Sequence, residues 1–333
     1  MPQLTFLPWL RVDDQEKFGQ VTLIPKGAAL GELKGHDREY ADAMCAAYVE
    51  LHANKEGLYD QVPVTFVRYK DAPLTTTLSD TNFEAIARAL RVLGAVAQEV
   101  RGFGFTPANA FVPIGQLYQD QGFSLAIFSG RVRSGGLDMR KVRFSRPAFI
   151  PTNTRLDVGE KALRTAAQDL LGVDNPTRRQ LALLRAMEWS FWANIDTDEQ
   201  NSFVRFVLLL TAFESVLDRR STALGFAYAL HERLATMDDA ITARVIDGHE
   251  HTLNEQGWWA YSFYKFRSDT VHGQPLPAGA LYNGHSHFYL ASIAFRVVVR
   301  QELSDLGLLN NPLGIFGADL FLELLRKGPE ADQ

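Results

Sequence analysis

The spacing of apolar positions changes near residue 150. Before it, Leu4–Val12, Val21–Pro25, Val62–Tyr69 and Phe123–Val132 are short apolar or β-branched runs bounded by Gly, Pro or Asp, the pattern of strands. Residues 131–146 read as a hairpin, with Val132, Val142 and Phe144 in the strands and Ser134-Gly135-Gly136 at the turn. Two helices interrupt the strands. One spans Asp37–His52, with Tyr40, Met44, Ala47 and Leu51 at helical spacing. The other is capped by Ser79-Asp80 and carries the stripe Phe83, Ile86, Leu90, Leu93 and Ala97.

Pro147-Ala-Phe-Ile-Pro151-Thr-Asn-Thr marks a boundary, and beyond it the strand pattern gives way to helical spacing. Helices are expected at 158–171, 177–194, 199–218, 221–236, 250–272, 285–305 and 314–326. Strands followed by helices argue for an α+β chain in two parts. Residues 1–150 form a mixed α/β-strand recognition or sensor domain, and residues 151–333 an all-α helical bundle.

Composition narrows the setting. A chain of 333 residues with 46% hydrophobic and 22% charged side chains is of ordinary globular type. Cys45 is the single cysteine, which excludes an internal disulfide and fits a reducing, cytoplasmic compartment. No apolar run reaches the ~18–20 residues of a membrane span, and the first residues lack a secretion-signal pattern. The first 150 residues hold 17 Lys and Arg against 16 Asp and Glu, a net of +1, while the rest hold 17 against 23, a net of −6. Nucleic-acid contact therefore needs a local basic site, since phosphates supply most non-specific affinity. Arg131, Arg133, Arg140, Lys141, Arg143 and Arg146 against Asp138 form one candidate, although charged outward faces of a solvated hairpin would look the same.

In the helix expected over 199–218, Phe203, Val207, Leu210 and Leu217 fall within ~80° of one another, and Glu214 lies amid them. A carboxylate there either snorkels to water or meets a cation, because burying it alone costs several kcal/mol. A cation is available later in the chain. An aromatic helix around Trp258, Tyr261 and Phe266 ends in Arg267-Ser-Asp-Thr-Val-His272, after which Gly273, Pro275 and Pro277 stop it. Its last turn could hold His272 simply as a helix end. Arg267 and His272 are five apart, so on a regular helix they diverge by ~140°. For both to act on one substrate, the last turn must distort, the arginine must reach round, or a second copy must supply the facing wall.

An arginine fork holds a phosphate at two points, and an imidazole moves protons near neutral pH. Together they suit attack of a ribose 2′-hydroxyl on the adjacent phosphodiester, giving a 2′,3′-cyclic phosphate and a 5′-hydroxyl. That chemistry needs no metal or cofactor. His249 and His251, like His285 and His287, lack zinc-ligand spacing, and no Gly-x-Ser-x-Gly elbow occurs.

Three segments carry a resemblance: Arg178-Arg-Gln-Leu-Ala-Leu-Leu-Arg-Ala-Met-Glu-Trp189, Phe206-Val-Leu-Leu-Leu-Thr-Ala-Phe-Glu-Ser-Val-Leu-Asp218 and Tyr264-Lys-Phe-Arg-Ser-Asp-Thr-Val-His-Gly273. Their order resembles the Apea-like branch of the HEPN superfamily, helical bundles whose signature is an Arg, four to six residues, then a His. The likeness covers roughly residues 178–273. It implies a homodimer with a composite, metal-independent RNase site where two signatures meet, with toxin or phage-defence roles in many members. Arg267 and His272 match the signature and Glu214 the acidic helix. Ser268 stands where many active members have Asn, Asp or His, which leaves Asp269 one place later as the substitute helper. The expected partners are RNA, a second copy, and a ligand or protein at the first domain. Two rivals stand beside this reading: a non-catalytic interaction module, and an enzyme acting on a free nucleotide.

Overall fold

The computed structural model describes residues 2–56, 64–97, 100–101, 104–105, 108–118, 124–128, 131–132, 161–195, 202–217, 222–234, 241–272, 281–310 and 317–326. The chain forms two compact units, one of residues 1–172 with 195–198, the other of 173–194 with 199–333. Residues 147–154, where the sequence suggested a boundary, lie outside the described residues.

The first unit contains β1 (Gln3–Leu7), β2 (Glu16–Phe18), β3 (Val21–Pro25), α1 (Lys26–Glu32), α2 (Gly35–Glu56), β4 (Thr65–Tyr69), α3 (Asp80–Ala97), β5 (Val100–Arg101), β6 (Gly104–Phe105), β7 (Ile114–Tyr118), β8 (Ser124–Phe128), β9 (Arg131–Val132) and α4 (Lys161–Leu171). Seven of these strands make one sheet in the order β2-β3-β4-β1-β7-β8-β9, every pair antiparallel. β1 is buried along its whole length, and so is most of β3, as strands in the middle of a covered sheet are. The capping expected for α3 is present: the Asn82 amide donates to Ser79 Oγ at 3.2 Å. Phe83, Ile86, Leu90 and Leu93 are all buried, so the stripe read from the sequence is the core face of α3. On α2, Cys45 is buried, and burial pushes its thiol up to about 11.

The expected strand over 123–132 is two strands. β8 pairs antiparallel with β9, Ile127 opposite Val132 and Phe128 opposite Arg131. The hairpin expected over 131–146, with its turn at Ser134-Gly135-Gly136, lies outside the described residues beyond Val132. Arg131 lies on the outermost strand of the sheet. Arg133, Arg140, Lys141 and Arg143 fall outside the described residues.

The second unit holds α5 (Arg178–Ala193), α6 (Ser202–Leu217), α7 (Ala223–Leu234), β10 (Ile241–Ile246), β11 (His249–Asn254), α8 (Glu255–Val271), β12 (Leu281–Tyr282), β13 (His285–Ser286), α9 (His287–Asp305) and α10 (Gly317–Arg326). It is not all-helical, contrary to the expectation for residues 151–333. Residues 241–254 form an antiparallel hairpin, and α8 begins at Glu255 rather than 250. The reason is local: Asp247 and Gly248 both adopt positive φ, +50° and +80°, and so build the two-residue turn that a right-twisted hairpin requires. A second, very short pair joins β12 to β13.

The helices close on an aromatic centre. Phe213 of α6 meets Phe226 of α7, Phe263 of α8 and Phe295 of α9 edge-on, at centroid distances of 5.7, 6.4 and 5.3 Å. Trp259 stacks on Phe263 and meets Phe321 of α10 at 5.2 Å. A charged clamp ties α5 and α7 to the end of α9. Arg179 donates to Glu302 at 2.8 Å and to Asp305 at 2.7 Å, while Arg233 donates to Asp305 at 2.6 Å and also to Glu302. At the start of α8 the Asn254 side chain caps the Gly257 amide at 2.9 Å. A side chain at Gly257 would crowd Leu253 and His231 at 3.1 and 3.2 Å, so the close approach of α7 and β11 calls for glycine. Among the described residues no helix is long and apolar enough to cross a membrane.

Candidate functional site

The candidate site lies where the last turns of α8 run alongside α6. α8 stays helical through Val271, and His272 is its C-cap, with its amide donating to the carbonyls of Ser268 and Thr270. The last turn is therefore not distorted, and Arg267 and His272 keep the wide angular separation that regular helix geometry imposes. Val271 is 51% exposed and His272 is exposed as well, so the tip of the helix presents its histidine to solvent.

Glu214 lies within the electrostatic reach of a cation, Arg267. The core face of α6 is made by Phe206, Leu209, Leu210, Ala212 and Phe213. Of the stripe expected from the sequence Leu210 belongs to it, Val207 and Leu217 are only partly buried, and the side chain of Phe203 lies outside the described residues. Glu214 sits half-buried at the margin of that face. Burial raises the Glu214 carboxyl above its ordinary value, and the Arg267 charge opposes that rise. Tyr264, one turn before Arg267, completes the group. Its hydroxyl is raised chiefly by burial and further by Glu214, with Arg267 acting against both. The Nε of Arg267 is buried without a hydrogen-bond partner among the described residues. A donor in that state has unused capacity for an acceptor oxygen.

The other expected residues are not drawn in. Ser268 and Asp269 are partly exposed, and among the described residues neither side chain bonds to Arg267 or His272. Of the two positioning candidates, Glu214 is the one whose carboxyl is affected by the Arg267 charge. Tyr264 was treated only as one of an aromatic run in the sequence. Its place three residues before Arg267 was the available signal, because such pairs share a helix face.

The charge balance at Glu214 has a measurable consequence. A carboxyl whose folded value is raised holds its proton more tightly in the folded than in the unfolded chain, so its ionisation weighs against folding as pH climbs above the ordinary value of 4.5. Glu214→Gln removes that cost. Its melting temperature is expected to exceed the parent's at neutral pH, with the gap closing below that value. Parallel melting curves for the two proteins across this range would show that burial of Glu214 carries no such penalty.

Set against known proteins, the chain matches no family model, no curated protein and no solved structure.

Proposed function

We propose that the second unit is a HEPN-type, metal-independent endoribonuclease, working as a homodimer in the cytoplasm. The observation that carries the reading is the group Glu214, Tyr264 and Arg267, set one turn before an exposed His272. Glu214 orients the guanidinium, whose terminal nitrogens take two non-bridging phosphate oxygens. As charge develops on the phosphoryl group, the fork stabilises it. An imidazole takes the proton of the 2′-hydroxyl, the 2′-oxygen bonds to phosphorus, and the 5′-oxygen leaves with a proton to become a hydroxyl. Because Arg267 and His272 diverge on one helix, the facing copy supplies the opposite wall, so that arginine and histidine converge across a two-fold axis. The first unit acts as the sensor. It offers a polar cleft lined by Glu16, Lys17, Lys161, Arg164 and Gln168, where a regulatory ligand would fit. The basic residues Arg131, Arg133, Arg140, Lys141 and Arg143 guide RNA.

The test is incubation of RNA with the full chain in EDTA, with product ends analysed, beside Arg267→Lys. Cyclic-phosphate ends are expected from the parent. Lysine keeps the charge but loses the fork, so its cleavage is expected to fall at least tenfold. Intact RNA with the parent overturns the reading in favour of a non-catalytic binding module, to which the net charge of −6 on residues 151–333 lends support.

A further inference from the structure

β10 is an unprotected sheet edge. Its register with β11 runs from Ile241 opposite Asn254 to Ile246 opposite His249, closed by the two residues Asp247 and Gly248. In a hairpin with a two-residue turn the pair flanking the turn is hydrogen-bonded, and bonded pairs then alternate along the ladder. Ile246, Arg244 and Thr242 thus spend their backbone groups on β11. Ile241, Ala243 and Val245 aim theirs outward, and among the described residues nothing lies along that edge.

The side chains sort the same way. Arg244 lies over the Trp258 ring at 4.7 Å, and Ile246 packs on the cluster of Ala227, Leu253 and Trp258. The opposite face carries Ile241, Ala243 and Val245, with Ile241 59% and Val245 71% exposed. Natural edge strands are usually blunted by an outward charge or a proline. β10 has no proline, and its single charge, Arg244, lies over Trp258, so the face carrying Ile241, Ala243 and Val245 is uncharged.

We infer that β10 pairs antiparallel with β10 of a second copy, about a two-fold axis at Ala243. Opposite residues in a sheet must share a face, so a two-fold pairing has to centre on one residue. Centred on Arg244, it sets two arginines against each other, which like charges disfavour. Centred on Thr242, it leaves Val245 unpaired. Centred on Ala243, it sets Ile241 against Val245, alanine against alanine and Thr242 against Arg244. Every outward N–H and C=O of Ile241, Ala243 and Val245 then finds a partner. Across the joined sheet, an apolar middle is flanked by Glu250 and Thr252 of β11, the arrangement of an apolar core with a polar rim. Two strands alone are marginal in water, and four are not. The edge is small, so the dimer is expected to be weak and to build up with concentration.

This contact is separate from the meeting of two Arg267–His272 motifs. α8 puts about 25 Å between the root of the hairpin and His272, so the pairing stands or falls independently of the RNase reading. Ala243→Cys in the full chain tests it. Bonded partners lie ~5.5 Å apart at Cα, within disulfide reach, so mild oxidation is expected to give a covalent dimer on a non-reducing gel. Thr252→Cys, on the same face but one strand further in, is expected to stay monomeric. In sedimentation equilibrium Val245→Asp is expected to reach a smaller mass than the parent, because it loses the β10 contact and keeps any contact made through the end of α8, with the parent's melting temperature unchanged. Three results would overturn the pairing: cross-linking at Ala243→Cys no greater than at Thr252→Cys, association unchanged in Val245→Asp, or a parent that stays monomeric while adding an extended peptide to the edge.

Discussion

Protein carrying His272→Ala is expected to melt like the parent while its RNA cleavage falls by a factor of about 10² or more, the typical contribution of a positioned proton-transfer group. Both halves of that expectation come from the end of α8. His272 is exposed, and its one structural duty, donating its amide to the carbonyls of Ser268 and Thr270, belongs to the backbone and survives the substitution. A surface change of this kind usually stays within ~0.5 kcal/mol. Loss of cleavage with an unchanged melt would therefore place His272 in the chemistry. Cleavage at the parent's rate would remove it from the site and leave it a helix end.

Glu302→Ala is expected to be the most damaging single substitution in the charged clamp. Glu302 is 4% exposed and accepts hydrogen bonds from both Arg179 and Arg233, whose side chains are 49% and 18% exposed. Removing one partner of a buried ion pair costs roughly 3–5 kcal/mol. Arg179 can turn to water, so the lower end applies, about 3 kcal/mol, or a fall in melting temperature on the order of 10 °C. Replacing all four members, Asp305 included, by apolar side chains of similar volume is expected to restore most of the loss, since no charge is then stranded. A fall of only a degree or two in Glu302→Ala would show that the clamp holds nothing together. The clamp also gives the second unit an acid limit. Burial works to raise the Asp305 carboxyl, but hydrogen bonds from Arg233 and Arg179 outweigh it and hold it below its ordinary value of 3.8. That contribution is present above the ordinary value and is lost as pH falls through the lower folded one.

The parts of the fold legible in the sequence are those governed by local rules. Ser79 caps α3, as its place before the apolar stripe indicates, and α5 starts within a residue of the expected 177, behind a Thr177–Gln180 capping box that the sequence reading did not name. The electrostatic influence of Arg267 on Glu214 is in line with one argument, that a half-buried carboxylate needs a cation or a donor. The hairpin of β10 and β11 did not emerge, because Gly248 was taken as a connection between two helices. Asp247-Gly248 between Ile241-Thr-Ala-Arg-Val-Ile246 and His249-Glu-His-Thr-Leu253 was nevertheless the strongest short hairpin signal in the second half. The core face of α6 was displaced because the helix is apolar nearly all round, and such a helix has no period to read. Tyr264 was missed for a related reason: among so many aromatic neighbours, membership of the packed interior is the default.

The chain's one sulfhydryl, Cys45, is sealed inside the first unit with its thiol pushed up to about 11, so almost none of it is thiolate at neutral pH. To maleimides and other thiol reagents the folded protein is therefore close to a blank surface. A cysteine introduced at Ala243, Val271 or any other exposed position would carry a fluorophore or spin label alone, without first deleting the native residue.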